Sequence, residues 1–286
     1  MEIGIIGTGL LGKAIAEKYL SADFIVSVYN RTYHKTNQLA EKGAFAYDSF
    51  GSLLKDNKKI ALVLSDYEAI CSVLFDAKTT YDFTGKTIFQ MSTISPNESK
   101  LLSERIKGLG GKYIEVPVLG SIPQVKEGKL IVLFSGNKSD FNFVQNALQP
   151  ISNSINYIGK IGKAAALKLA LNQMIASLTS IFSMSLGYVL KNEIDPEIFM
   201  KILRESALYA PTFDKKLERM LKDNFTNPNF PVKHLLKDVE LAKESFNQSG
   251  INSAILSEIK KILQHSIESG DAEKDYSALY NVIVKK

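Results

Sequence analysis

At 286 residues, with 45% hydrophobic and 23% charged positions, the chain is too apolar to be disordered and long enough for two domains with sizeable cores. A net charge of +5 without any block of like charges argues against a nucleic-acid partner and suits a mildly positive surface around an anionic ligand. The lone Cys71 excludes an intrachain disulfide and fits a reducing compartment, the cytoplasm, while His34, His234 and His265 lack metal-ligand spacing, so no metal is expected.

The amino terminus has no basic leader region and its glycines interrupt any apolar core, so no signal peptide is expected. "EIGII" (2–6) reads as a strand, and "GTGLLGKAI" then gives the G-x-G-x-x-G pattern at Gly7, Gly9 and Gly12 before an amphipathic helix to about residue 20. Strand, glycine turn and helix in that order predict a dinucleotide cradle. Gly7 permits the turn, Gly9 admits a pyrophosphate and Gly12 lets the helix pack closely, with Thr8, Leu10 and Leu11 completing the loop. Further strands are expected at "FIVSVYN" (24–30), "KIALVLS" (59–65) and "KTIFQMS" (86–92). The helical patterns "KTNQLAEKG", "SFGSLLKD" and "EAICSVLFDA" separate them, which predicts βαβ units and a parallel sheet. "KYIEVPV" and "KLIVLFSG" add β-rich runs.

The second strand ends in Asn30-Arg31-Thr32, without the carboxylate that would accept bonds from a free ribose. Arginine forks onto phosphate oxygens and threonine can donate to them, so the turn predicts a cofactor with a 2′-phosphate, NADPH/NADP+. Leu64 and Ser65, closing the third strand, are expected to contact the same cofactor. "MSTISP" (91–96) is either an ordinary helix cap or, through Ser92 and Thr93, a nicotinamide and substrate contact. "EVPVLGSIPQVKEGKL" is either a plain loop or a nest of backbone N–H groups for a carboxylate, at Leu119, Gly120 and Ser121.

From 162 to 190 a mostly apolar run without proline predicts one helix of about 40 Å at 1.5 Å per residue. Its stretch 174–190 falls short of the ~20 apolar residues of a membrane span and is rich in Ser and Thr, so a core helix is expected, with no membrane partner. Lys168 and Asn172, four apart, share one face of it. A lysine among Ala, Leu, Ile and Met either snorkels to water or does chemistry. Beside a nicotinamide its ammonium can protonate a nascent alkoxide, and in reverse a partly buried neutral lysine is the base. The rest reads as helices at "PEIFMKILRESA", "TFDKKLERMLKD", "VKHLLKDVELAKESFNQSG" and "NSAILSEIKKILQHSIESG", the last capped at Asn252 or Ser253 and stopped at Gly270. The expected class is α/β: a Rossmann-type domain over 1–160, then the long helix and an all-α domain over 161–286.

"GIIGTGLLGKAI", "NRT", "MSTISP", "VPVLGS", "GKIGKAAALKLALNQ" and "FPVKHLLKD", in this order, resemble the β-hydroxyacid dehydrogenases of the 3-hydroxyisobutyrate dehydrogenase type. The resemblance covers nearly the whole chain and is strongest to the glyoxylate/succinic semialdehyde reductase branch. It implies Lys168 as catalytic proton donor and Asn172 as its substrate-binding companion. Thr93 then lies near the nicotinamide, Gly120 and Ser121 at the substrate carboxylate, and Lys237 at the cofactor with Phe230 nearby. It also implies a homodimer or homotetramer formed through the helical domain. Leu119 departs from the family, which usually has serine there, and implies a less polar substrate pocket. Two other readings are an imine reductase, whose members usually lack the lysine, and a non-catalytic cofactor-binding scaffold, whose chromatin relatives lost the lysine and carry DNA-binding segments. Catalytic efficiency with NADPH is expected to exceed that with NADH, and a clear NADH preference contradicts the reading of Asn30-Arg31-Thr32.

Overall fold

The computed structural model describes residues 1–75 and 79–284. Two compact units divide inside the long helix, at Lys168/Leu169.

The first unit is built on nine strands: β1 Glu2–Ile6, β2 Ile25–Tyr29, β3 Phe45–Tyr47, β4 Lys59–Leu62, β5 Thr87–Gln90, β6 Lys112–Glu115, β7 Val118–Leu119, β8 Ile131–Ser135 and β9 Ser154–Gly159. Their helices are α1 Leu10–Leu20, α2 Asn37–Ala40, α3 Phe50–Asp56, α4 Tyr67–Leu74, α5 Pro96–Gly108, α6 Ile122–Lys126 and α7 Phe141–Leu148. The first six strands are parallel in the order β3-β2-β1-β4-β5-β6, and β8 continues the sheet antiparallel to β6, flanked by β7 and β9. Apolar residues such as Ile5, Val28, Ile60 and Ile88 are fully buried because helices cover both sheet faces. The chain reverses direction between β1 and β4, and in doubly wound sheets ligands bind beyond the carboxyl ends of the strands at that switch.

Local chemistry sets the helix ends. The Ser49 and Asp66 side chains accept from Ser52 N and Ala69 N at the starts of α3 and α4. Ser95 and Glu98 close a capping box, with Pro96 opening α5. Where a helix was expected at "KTNQLAEKG", a 3-10 turn, Tyr33–Thr36, leads into the four-residue α2 and ends at Gly43 with φ +98°. β3 escapes the sequence pattern because it is three residues long and exposes Phe45 at the sheet edge. The last residues of "EAICSVLFDA" lie outside the described ones.

α8, Lys163–Lys191, is long and apolar enough by length and composition to cross a membrane. Leu169, Ala176, Phe182 and Leu186 instead lie in the core of the second unit. That unit adds α9 Pro196–Glu205, α10 Pro211–Leu221, α11 Val232–Gln248, α12 Ala254–Ser266 and α13 Leu279–Val284. α12 follows Ser253, and Gly270, at φ +89°, sits in the turn after it. A buried ion pair ties α10 to the C-terminal segment: Lys216 Nζ lies 2.7 and 2.9 Å from the Asp275 carboxylate and over the Tyr276 ring. Asp275 also accepts from Ser277 N and Oγ. Burial pushes the Lys216 ammonium below the usual lysine range, and Asp275 opposes this. Asp275→Asn leaves that ammonium without a counter-charge and is expected to destabilise the protein by about 3–5 kcal/mol, read from the shift in urea denaturation.

Candidate active site

The loop after β1 explains its glycines. Gly7 has φ +96°, and a Cβ there would lie 2.3 Å from the Val63 carbonyl. A Cβ on Gly12 would lie 1.9 Å from the Gly7 carbonyl, so α1 packs directly on the turn it leaves. Gly9 is different, because nothing lies within 4 Å of where its Cβ would be. It caps α1 without any side-chain bond, leaving the first helical N–H groups and the positive helix end to a phosphate. Leu10 is exposed and Leu11 half-buried at this helix start, while Thr8 is buried. An open cradle of this shape fits a dinucleotide pyrophosphate.

The turn after β2 braces that cradle. Thr8 N–H donates to Asn30 Oδ1 at 3.2 Å, and Asn30 Nδ2 donates to the Thr32 carbonyl at 3.0 Å. Thr8 Oγ1 donates to the Lys35 carbonyl. Asn30, expected to face a phosphate, thus uses its amide to join the two loops. Arg31 is exposed and forms no ion pair among the described residues, which leaves its guanidinium to an anion. Thr32 is half-buried beside it.

Buried polar groups join the ends of β4 and β5. The Ser92 hydroxyl accepts from Leu64 N–H at 2.9 Å and reaches the Leu62 carbonyl at 3.4 Å, while Gln90 bonds both backbone groups of Ser92. Ser92 is therefore an internal fastener in this structure, and the half-buried Thr93 and exposed Ser65 are the more accessible hydroxyls of these loops.

Glu115, at the end of β6, is fully buried. Its carboxylate accepts from Gly162 N at 2.7 Å, Ala165 N at 2.8 Å and the Ser99 hydroxyl, and Ser99 in turn meets Tyr113 Oη at 2.7 Å. Ser135 Oγ accepts from Ala164 N at 2.9 Å. These side chains hold the start of α8, and Lys168 follows one turn later at 9% exposure. Past β6 the chain reaches Leu119, half-buried, and Gly120 at φ +119°, where a Cβ would lie 2.8 Å from Leu130. The N–H and hydroxyl of Ser121 both donate to Gln124 Oε1, at 2.9 and 3.0 Å.

In the second unit Asn172, 3% exposed, donates through Nδ2 to Asp238 Oδ2 at 2.6 Å. Lys237 Nζ lies 2.9 Å from Asp238 Oδ1. The carboxylate fixes which end of the Asn172 amide faces it, so Oδ1 is the acceptor left buried without a hydrogen bond. The Phe230 and His234 rings stack at 6.4 Å, and burial, reinforced by Lys233 and Lys237, holds His234 below the ordinary imidazole range. The sequence reading passes over Glu115, Asp238 and Gln124. Asp238 had a visible signal in its place beside Lys237, whereas Glu115 reads as an ordinary strand residue.

Residues 2–159 match the family model for the NAD-binding domain of 6-phosphogluconate dehydrogenase. Residues 162–283 match that for the NAD-binding region of NADP-dependent 3-hydroxyisobutyrate dehydrogenase. Glyoxylate/succinic semialdehyde reductase 1 of Arabidopsis thaliana is 31% identical, over 99% of this chain and 98% of its own. A 3-hydroxyisobutyrate dehydrogenase from Salmonella typhimurium has the same fold, with a TM-score of 0.88 at 17% identity over 99% of each chain. An imine reductase from Bacillus cereus superposes less well, at a TM-score of 0.64 and 22% identity over 100% of this chain and 99% of its own.

The two glycine environments separate folding from binding. Gly9→Ala is expected to keep its thermal midpoint within about 2 °C and to weaken NADPH binding at least tenfold by fluorescence titration, whereas Gly12→Ala is expected to lower the midpoint by at least about 5 °C.

Proposed function

Because the chain belongs to the 3-hydroxyisobutyrate dehydrogenase type of the β-hydroxyacid dehydrogenase family, and is an NADP(H)-using oxidoreductase acting on CH–OH groups, we propose that it interconverts small aldehyde or keto acids and their hydroxy acids with lysine as general acid/base. Glyoxylate and succinic semialdehyde are the first candidates, from the name of the Arabidopsis relative. The observation that carries the reading is Lys168, almost fully buried on an apolar helix whose start is fastened to the carboxyl edge of the dinucleotide-type sheet.

Bound NADPH supplies the hydride that reduces the carbonyl carbon. Lys168 holds a proton at Nζ and releases it to the carbonyl oxygen as that oxygen gains charge. In the reverse direction neutral Lys168 takes the hydroxyl proton. Asn172, its orientation set by Asp238, offers Oδ1 as an acceptor to a substrate hydroxyl or the cofactor amide. Gly120 and Ser121 hold the substrate carboxylate, with Leu119 lining the substrate site and Ser92 supporting Thr93 at the nicotinamide. Gly7, Thr8, Gly9, Leu10, Leu11 and Gly12 enclose the pyrophosphate. Asn30, Arg31 and Thr32 form the 2′-phosphate side, and Leu64, Ser65, Thr93 and Lys237 complete the cofactor contacts. The exposed stripe Met174, Ile181, Met184 and Tyr188 on α8 supports a homodimer or homotetramer through the helical unit. The lone Cys71 supports a cytoplasmic location.

Lys168→Ala is expected to lower kcat about 10²–10⁴-fold, leaving NADPH affinity within twofold. Near wild-type turnover refutes Lys168 as proton donor. A panel following NADPH oxidation with glyoxylate, succinic semialdehyde, tartronate semialdehyde and a cyclic imine identifies the substrate, and preference for the imine overturns the carbonyl-acid reading.

A further inference from the structure

We infer that Glu115 is a positioning residue for Lys168, locking the rotation of α8 so that the ammonium faces the reacting carbonyl; this rests on the reading of Lys168 as proton donor. The residue before α8, Gly162, has no side chain and lies at φ +94°. The helix is held by two strand ends: Glu115 takes the N–H groups of Gly162 and Ala165, and Ser135 takes that of Ala164. These contacts fix the rotation of the first turn as well as its place, because the N–H groups sit at different positions around the axis, about 100° apart per residue. Lys168 follows Ala165 by three residues and Ala164 by four, so it stands on the same helix face one turn on. A one-residue slip would turn Lys168 by about 100°.

The carboxylate is also unusual in how its charge is met. Glu115 is fully buried and has no ion pair among the described residues. Backbone N–H groups, the Ser99 hydroxyl and the positive end of α8 hold the charge, so the interaction is strong only while the helix start keeps this geometry. Leu119 follows Glu115 by four residues, so the same strand end leads into the proposed substrate loop.

A double-mutant cycle in the full-length protein tests this. Glu115→Gln keeps the size of the side chain but loses the charge and one acceptor. It is expected to lower kcat at least tenfold per NADPH-binding site, with NADPH affinity within twofold. In a Lys168→Ala background the same change is expected to lower the residual kcat less than twofold, because no ammonium remains to be misplaced. Glu115→Asp keeps the charge but cannot reach both N–H groups, and a three- to tenfold loss that also vanishes in Lys168→Ala decides the question if the Gln variant does not fold. Equal losses in both backgrounds, or no loss in either, overturn the proposal. Wild-type turnover by Lys168→Ala alone marks the different failure, that of the proton-donor reading, and the positioning role falls with it.

Discussion

One buried carboxylate organises the first unit. Removing Glu115 from water is costly, and it is tolerated only because the backbone N–H groups of Gly162 and Ala165 meet it at hydrogen-bond distance. The requirement is mutual, since a helix start buried against the sheet would otherwise leave donors unsatisfied. Ser99 and Tyr113 extend the arrangement, and burial with the neighbouring Glu115 charge holds the Tyr113 phenol well above its ordinary range, so it serves as a neutral hydrogen-bonding partner. Gln90 and Ser92 repeat the device one strand over, joining β4 to β5. The carboxyl edge of this sheet, where a ligand-binding fold leaves backbone groups exposed, is tied together from beneath by side chains that never reach the surface.

The glycine loop obeys a complementary constraint. The first N–H groups of α1 must stay open to a ligand, and no side chain caps that helix. Stability comes from contacts that avoid those groups: α1 against Gly7, Thr8 against Asn30, and Asn30 against Thr32. Asn30 thereby connects the pyrophosphate loop to the turn that would face the adenosine ribose. An aspartate there could accept the Thr8 bond but could not donate to the Thr32 carbonyl, so asparagine makes both halves of the brace.

Local features were legible where short-range chemistry fixes them. The glycines, the helix cap in "MSTISP", the long uninterrupted helix and the isolated Lys168 all announce themselves within a few residues. The first parallel strands follow from apolar runs spaced by helical ones. Glu115 does not, because its partners lie 47 and 50 residues further along the chain. Asp238 bonds Asn172 across 66 residues. Ser92 reads as a ligand contact because a hydroxyl at a strand end is chemically suited to one, and only the folded backbone reveals that its hydroxyl also meets Leu64 and Leu62. β3 failed for a different reason, since three residues are too few to display a period.

The loop at Leu119–Gly120–Ser121 shows how far residue type alone can carry a specificity argument. A serine in place of Leu119 would add a donor, and on the proposed reading its absence moves the work of binding a carboxylate to Gly120 and Ser121. Ser121, however, already donates both its N–H and its hydroxyl to Gln124 Oε1. On the proposed reading an arriving carboxylate must replace that neutral acceptor, so its gain is the difference between a charge-assisted bond of about 1.5–3 kcal/mol and a neutral one of about 1 kcal/mol. A margin that small discriminates weakly between acids through the carboxylate itself. Discrimination then falls to the opposite end of the substrate and to apolar contact with Leu119, where each buried methylene contributes about 0.8 kcal/mol. On that reading the substrate is chosen less by its charge than by the length and polarity of the chain that carries it.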